Sequence, residues 1–318
     1  MSKKMFGEDS LYIWLDGKQI PWDQGTLHLT QGHMFAHAIF EGIRAYWNED
    51  LEKLFVFRLG DHLQRLYRSI KLMRMETPYK LEDVWAGSIE LCQAHEYKQD
   101  VYIFPTVYFA PEVYLNRMAG PAHIYVHTFP YGSNLHKKDG AKCSVSSWTR
   151  IADNTLPARI KCWANYRNSA IAWTDATLNG FDETIMLNNR GKVSEAPGAC
   201  LVMIQDGALI TPPITSDILV SITRDTVLKI GLDLIEMPVV EREIDRTELY
   251  TADEVFLCGT GAEVTPVSSI DNYEIGTGSV GPITERFRVA YHDLIRGMDV
   301  RFPEWRTEVP VVSKESKF

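Results

Sequence analysis

Cysteine is scarce in this 318-residue chain: Cys92, Cys143, Cys162, Cys200 and Cys258, with no C-x-x-C pair among them. An odd, low count without paired spacing argues against a disulfide framework or a zinc ribbon and fits a reducing cytoplasm. No run reaches the ~18 consecutive apolar residues that a membrane span requires, so no membrane partner is expected. The first ten residues, MSKKMFGEDS, carry charge with no apolar stretch behind them, unlike a signal peptide. Positive charge is also in deficit. Lys and Arg number 33 against 42 Asp and Glu, a net charge of −9. Such a surface repels phosphate backbones, and no local basic patch argues for a nucleic-acid partner. Internal repeats and low-complexity segments are absent. What is present is 45% hydrophobic and 24% charged residues, the balance of a soluble globular protein. The length suits two domains of about 130–180 residues.

Local pattern places the elements. Asp16-Gly17 suits a tight hairpin turn. Residues 42–47 and 53–58 form a second hairpin around Asn48-Glu49-Asp50. Asp61 is read as a helix N-cap, followed by Leu63, Leu66, Tyr67 and Ile70 at helical spacing. A second helix covers 81–95, and β-rich runs follow at 101–110 and 122–129. The polar stretch 131–140 is the linker candidate. Beyond it come a strand at 143–149, a helix at 166–178 stopped by Gly180, and strands at 183–187, 192–194, 199–205 and 208–211. A helix at 224–234 follows, then a capping box at Asp245 and Glu248, a buried strand at 254–258 and a last amphipathic helix at 282–295. Strands and helices are mixed without strict alternation, which predicts α+β or irregular α/β architecture.

Several candidates for chemistry compete. Gly276, Gly278 and Gly281 spell G-x-G-x-x-G, but a dinucleotide fingerprint needs a strand before it, a helix after it and an acidic residue about 20 positions on. Here Pro282 follows directly and position 301 is Arg301, so a tight loop capping the last helix is the better account. His33 and His37 stand four apart without a third ligand nearby, and no metal is expected there. Ser144, Ser146 and Ser147 lack a nucleophile-elbow setting. Glu41 and Glu195 are carboxylates that nothing in the sequence brings together. Lys161, beside small and apolar neighbours just before a helix, is a candidate amine nucleophile, because a dry pocket lowers proton affinity. Residues 219–223 lead into a helix whose free amides and dipole make an anion cup. Gly259-Thr260-Gly261 offers a second set of open backbone N–H groups.

Taken in order, the stretches Phe40-Glu41-Gly42-Ile43-Arg44, Val56-Phe57-Arg58, Lys161 through Asn165-Tyr166, Val193-Ser194-Glu195, Ile222-Thr223-Arg224-Asp225 and Gly259 through Val267 resemble the fold-type IV pyridoxal-phosphate enzymes, and within them the branched-chain aminotransferases. The likeness runs from Tyr12 to about Gly297. It implies a two-domain enzyme: a small N-terminal α/β domain (1–131), an interdomain loop (132–138) and a larger β-rich pseudo-barrel domain (139–318). It implies pyridoxal 5'-phosphate as cofactor. Lys161 would be the Schiff-base lysine that shuttles the proton between substrate Cα and cofactor C4′. Glu195 would pair with the ring nitrogen, Tyr166 with the ring hydroxyl, and Leu219 would pack on the ring. Arg58, Ile222, Thr223 and Thr260 would hold the phosphate. Thr260, Gly261 and Tyr102 would approach the substrate carboxylate, and Phe35, Phe40 and Phe104 would line the pocket. The implied reaction moves an amino group between an amino acid or primary amine and a 2-oxo acid. The implied assembly is a cytoplasmic homodimer, with the partner's loop near 113–118 closing the pocket. Within the same fold the alternatives are an (R)-selective amine transaminase, a D-amino-acid transaminase and aminodeoxychorismate lyase; outside it, a nicotinamide dehydrogenase.

The chain departs from the family pattern at the pocket. Phe104 stands where the family usually has the arginine that grips the distal carboxylate of glutamate. Phe35 replaces a tyrosine, Ala196-Pro197-Gly198-Ala199-Cys200 replaces the usual run after the glutamate, and Cys162-Trp163-Ala164 is bulkier than usual. A more apolar pocket disfavours an unpaired carboxylate. The expectation is a preference for amino donors lacking a second carboxylate and poor use of glutamate and 2-oxoglutarate.

Overall fold

The computed structural model describes residues 10–113, 118–132, 137 and 139–311. The chain divides into two compact units, Met1–Gly132 with Ile295–Phe318, and Ser133–Leu294. Of the expected interdomain loop 132–138, only residues 132 and 137 lie within the described set. Each unit is built on one sheet with helices, as an α+β reading requires.

In the first unit the sheet runs in the order Arg306–Glu308, Lys53–Phe57, Ile43–Asn48, Val101–Phe109, Gly120–Pro130, Tyr12–Leu15, Lys18–Pro21. Ile39–Phe40 adds beside Val101–Phe109, and Met75–Glu76 pairs in parallel with Gly120–Pro130. The Asp16-Gly17 turn has φ of 43° and 81°, the left-handed pair that a two-residue hairpin needs. The second hairpin pairs Asn48 with Lys53, so its loop is residues 49–52, tightened by Leu51 N–H donating to Asn48 Oδ1 at 2.9 Å.

The helix Leu59–Leu72 corrects the expected cap. Arg58 holds the N-cap position in left-handed backbone (φ 53°, ψ 37°), and Asp61 is already the third helical residue. The Asp61 carboxylate instead accepts from Arg58 Nε at 2.7 Å. Leu59, Leu63, Leu66 and Ile70 form the buried stripe at spacings of four, three and four. A second helix is Leu81–Ala94. Arg306–Glu308 pairs with Lys53–Phe57, so the C-terminal segment belongs with the first unit and not with the domain expected over 139–318.

In the second unit the order is Glu183–Ile185, Ala141–Val145, Glu263–Ile270, Glu254–Gly259, Cys200–Gln205, Ala208–Thr211, Val239–Glu241. The inner strands supply a dry core that includes Leu201, Met203, Val255, Leu257 and Val267. Two helices start earlier than sequence spacing suggests, Trp163–Leu178 by three residues and Ile222–Asp233 by two. In the second case Ser221 is the N-cap, its hydroxyl accepting from Arg224 N–H at 3.2 Å. Residues 192–194 make isolated bridges, Leu187 to Val193 and Lys192 to Asp245, in place of the expected strand. The capping box holds: Asp245 N–H donates to Glu248 Oε1 at 2.8 Å ahead of the 3₁₀ helix Arg246–Thr251. No helix among the described residues is long and apolar enough to cross a membrane.

Candidate active site

On the second unit, Lys161 sits one residue before Cys162, the N-cap residue of the helix Trp163–Leu178. Asn165 fixes the approach: its Nδ2 donates to the carbonyls of Pro157 and Ile160 at 2.9 and 2.8 Å. One helical turn on, Tyr166 meets the lysine, with Lys161 Nζ donating to Tyr166 Oη at 2.5 Å.

Glu195 is 5% exposed. Leu219 N–H donates to both its oxygens, at 3.2 and 3.1 Å, so two residues 24 apart in sequence are joined. Arg150 reaches the same carboxylate at 2.7 Å and donates from its other terminal nitrogen to Ser169 Oγ at 2.9 Å. A buried carboxylate thus has a full positive partner, which offsets the cost of removing its charge from water. The Cys200 thiol stands 3.8 Å from Glu195 Oε2, and burial, then the Glu195 charge, push that thiol well above its ordinary value. Arg150 was missed in the sequence because it lies at the end of the alternating run 143–149, where nothing marks it as inward.

Ile222 and Thr223 are the first two residues of their helix and are buried, at the end that carries partial positive charge. Arg224 secures this helix through Glu241, at 2.6 Å, and the Pro212 carbonyl, at 2.9 Å. Thr260 and Gly261 occupy the turn between Glu254–Gly259 and Glu263–Ile270, where Gly259 pairs with Glu263. A Cβ on Gly259 would stand 2.9 Å from the Gly198 carbonyl oxygen, so the strand end approaches its neighbour only as glycine.

The first unit carries the other group of sequence candidates. Arg58 is 6% exposed, bonded to Asp61, with its guanidinium 4.9 Å above the Trp305 ring. Val101–Phe109 and Gly120–Pro130 pair Tyr102 with Phe129, Phe104 with His127, Thr106 with Tyr125 and Tyr108 with His123. Directly opposed residues share a face, so these side chains form one aromatic surface. Phe40 stacks on Phe104 at 5.1 Å and Phe35 on Tyr108 at 5.3 Å. Phe35, Phe40, Tyr102 and Phe104 are therefore brought onto one surface. His127, Tyr125 and Tyr108 belong to it too and were overlooked, although the alternation of both strands is visible in the sequence.

The stretch Phe40 through Arg44 supports this face. Glu41 is fully buried and accepts from Arg65 Nε and Nη2 at 2.6 and 2.7 Å, with His62 Nδ1 at 2.8 Å. Glu41 and Glu195 each have their own cationic partner, so they do not act as a carboxylate pair. A Cβ on Gly42 would fall 1.8 Å from the Tyr102 hydroxyl oxygen; glycine makes room for that ring. Arg44 donates to the carbonyls of Tyr131 and Gly132 at 3.0 and 3.1 Å.

The G-x-G-x-x-G loop is filled by protein. Glu254 accepts from Ile283 N–H, Thr284 N–H and the Thr284 hydroxyl at 2.9, 2.6 and 2.6 Å. A Cβ on Gly281 would stand 2.0 Å from the Glu254 carboxyl carbon. A carboxylate already occupies the anion position of that helix N-terminus, where a pyrophosphate would have to sit.

The family model for class IV amino-transferases matches residues 38–270, and the chain belongs to that family. A probable branched-chain-amino-acid aminotransferase of Aquifex aeolicus is 39% identical over 308 residues, covering 96% of this chain and 98% of the relative. The PLP-form of the branched-chain amino acid aminotransferase of Thermobaculum terrenum superposes with a TM-score of 0.92 at 41% identity, over 95% of this chain and 99% of that one. The branched-chain aminotransferase of the thermophilic archaeon Thermoproteus uzoniensis, with norvaline, gives a TM-score of 0.89 at 37% identity, over 95% of this chain and 100% of that one.

Proposed function

We propose that this chain is a pyridoxal 5'-phosphate-dependent aminotransferase that exchanges an amino group between branched-chain amino acids and 2-oxo acids. The observation that carries the reading is the Lys161 amine, 2.5 Å from the Tyr166 hydroxyl, on the same unit as the buried, arginine-paired Glu195. The family membership supports it.

The donor set fits the cofactor. Bound, the cofactor supplies an aldehyde that takes up the amino group and a protonated ring that withdraws electrons from the substrate carbon. Lys161 Nζ would attach it covalently and move the proton to and from substrate Cα. Glu195 would hold the proton on the ring nitrogen, and Arg150, 2.7 Å away, would hold Glu195 in place for that task. Tyr166 Oη would orient the ring hydroxyl and Leu219 would pack on the ring face. The phosphate would be held by Ile222 and Thr223 at their helix N-terminus, with Thr260 and Arg58. Thr260, Gly261 and Tyr102 would orient the substrate carboxylate, while Phe35, Phe40 and Phe104 would exclude water from its side chain.

Phe104 favours amino donors without a second carboxylate, primary amines among them, since its ring offers no charge partner. We also read the working unit as a cytoplasmic homodimer of two-domain subunits. The loop expected to reach the partner's pocket falls largely on residues 114–117, outside those described.

Borohydride reduction of the yellow holoenzyme, followed by digestion and mass spectrometry, tests the function. The expected product carries a phosphopyridoxyl mass on Lys161, and Lys161→Ala abolishes amino transfer. An unmodified Lys161, or full transfer in the variant, would overturn the reading.

A further inference from the structure

The aromatic surface of the first unit contains a buried imidazole whose polar atom stands out. His127 Nδ1 is buried with no hydrogen-bond partner among the described residues. A buried polar atom left unpaired is costly, and a native structure seldom keeps one without a use for it. The His127 ring is 5.2 Å from Phe104, directly opposite it in the sheet, and 5.8 Å from Tyr125.

The same imidazole lines a cavity of about 280 Å³, together with Trp22, Phe35, Tyr108 and Tyr125. The remaining lining residues are aliphatic or small and uncharged. An apolar cavity of about 150 Å³ already accepts benzene, so a six-membered ring has space here. Burial pushes the His127 imidazole down to about 4, so it is neutral at neutral pH and offers hydrogen bonding without charge. With no Lys or Arg among the described residues of the wall, a carboxylate entering the cavity would be buried without a counter-ion there. A neutral hydroxyl on an aromatic ring meets both requirements: the ring has aromatic walls to pack against, and the hydroxyl has a partner.

We propose that His127 and its cavity form the side-chain end of the substrate site and select aromatic amino acids and 2-oxo acids whose ring bears a hydroxyl. The inference rests on the aminotransferase reading above, in which Phe35 and Phe104, the ring neighbours of this cluster, line the substrate pocket. It extends that reading from branched-chain side chains to a second substrate class and names the residue that discriminates within it.

The test uses the intact holoenzyme and single-donor half-reactions, in which tyrosine, phenylalanine or leucine converts the aldehyde form of the cofactor to the amine form, followed by absorbance. Tyrosine is expected to react with a higher second-order rate constant than phenylalanine. His127→Phe is expected to lower the tyrosine-to-phenylalanine ratio about 3- to 10-fold, the size of one neutral hydrogen bond. His127→Gln, which retains a donor and an acceptor, restores part of that ratio. A general folding defect would depress both donors together and leave the ratio unmoved. If leucine reacts while tyrosine is no better than phenylalanine, or while His127→Phe leaves the ratio unchanged, this inference is overturned and the aminotransferase reading stands. If none of the three donors converts the cofactor, both fall.

Discussion

Arg150 and Glu195 form an ion pair 2.7 Å long in which each side chain is only 7% exposed. Their separation in sequence is 45 residues, and Leu219, from a third segment, completes the carboxylate's bonds. Removing one member of such a pair leaves an uncompensated charge and costs about 3–5 kcal/mol. Arg150→Met should therefore lower the unfolding free energy of the apoprotein, read by urea denaturation, by that amount. A second readout separates structure from function: without Arg150 the Glu195 carboxylate loses the ion pair that fixes its position as acceptor for the ring nitrogen. Cofactor affinity, titrated by absorbance, should fall about 10- to 100-fold, the value of one hydrogen bond to a charged group. Arg150→Lys should recover part of it, keeping the charge but not the two-pronged geometry. Unchanged affinity in Arg150→Met would limit Arg150 to a structural part.

Glu41 offers a pH signature in the first unit. Burial alone would raise its carboxyl, but the Arg65 charge and the hydrogen bonds from Arg65 and His62 outweigh burial and hold it down to about 2, against an ordinary 4.5. A carboxyl depressed in the folded state stabilises the protein above its unfolded value, and that contribution is lost as pH falls through the folded one. The window is therefore about pH 5 down to 2, and the amount is roughly 3 kcal/mol. Glu41→Gln should be destabilised at pH 7, with the gap to wild type narrowing by about that much toward pH 2. The narrowing, read by urea unfolding across pH, is the diagnostic, because losing the bonds to Arg65 adds a constant. A gap that stays constant with pH would refute the assignment.

The sequence made the elements legible where spacing carries the information. Asp16-Gly17 and Asp206-Gly207 turn their hairpins with positive φ, as their residue types require. The stripe Leu59, Leu63, Leu66, Ile70 is a period of 3.6 written in side chains. Asp61 was misread because an acidic residue in the first turn of a helix and a true N-cap look alike in sequence; only Arg58, in left-handed backbone, separates them. Lys161 and Tyr166 were singled out by the family resemblance; their direct contact, 2.5 Å across a helix start, is seen only in the structure. Arg150 with Glu195 was not readable, because contacts between distant segments leave no local pattern. His127 lay in a plainly alternating strand, but what makes it a candidate is that its Nδ1 has no partner among the described residues, which no sequence records.

Glu183 should behave oppositely to Glu41. It is 6% exposed, and burial pushes it up to about 7, while a hydrogen bond from Thr184 N–H at 2.9 Å opposes the rise only in part. A carboxyl raised in the folded state favours folding fully below its unfolded value and loses that advantage as pH rises through the folded one. Between about pH 4.5 and 7 the wild type should lose roughly 3 kcal/mol from this group. Glu183→Gln keeps the shape without the charge. It should match wild type near pH 4.5 in urea unfolding and exceed it by about that amount at pH 8.5. No gain at pH 8.5 would mean the carboxylate finds compensation on ionising.

Phe104 sets the last expectation, which concerns the acceptor. Its ring stacks on Phe40 at 5.1 Å and meets Tyr102 at 6.0 Å and His127 at 5.2 Å, none of them a cation at neutral pH. The distal carboxylate of 2-oxoglutarate would lose hydration there without gaining a charge partner. Wild-type initial rates should therefore be lower with leucine plus 2-oxoglutarate than with a chiral aryl-alkyl amine plus pyruvate. Phe104→Arg should raise kcat/KM for 2-oxoglutarate by about tenfold or more, the value of one charge-assisted hydrogen bond. It should do so while lowering kcat/KM for apolar 2-oxo acids, since a buried guanidinium facing an aliphatic chain is itself left unpaired. Equal or faster wild-type turnover with 2-oxoglutarate would discard the idea that Phe104 excludes a second carboxylate.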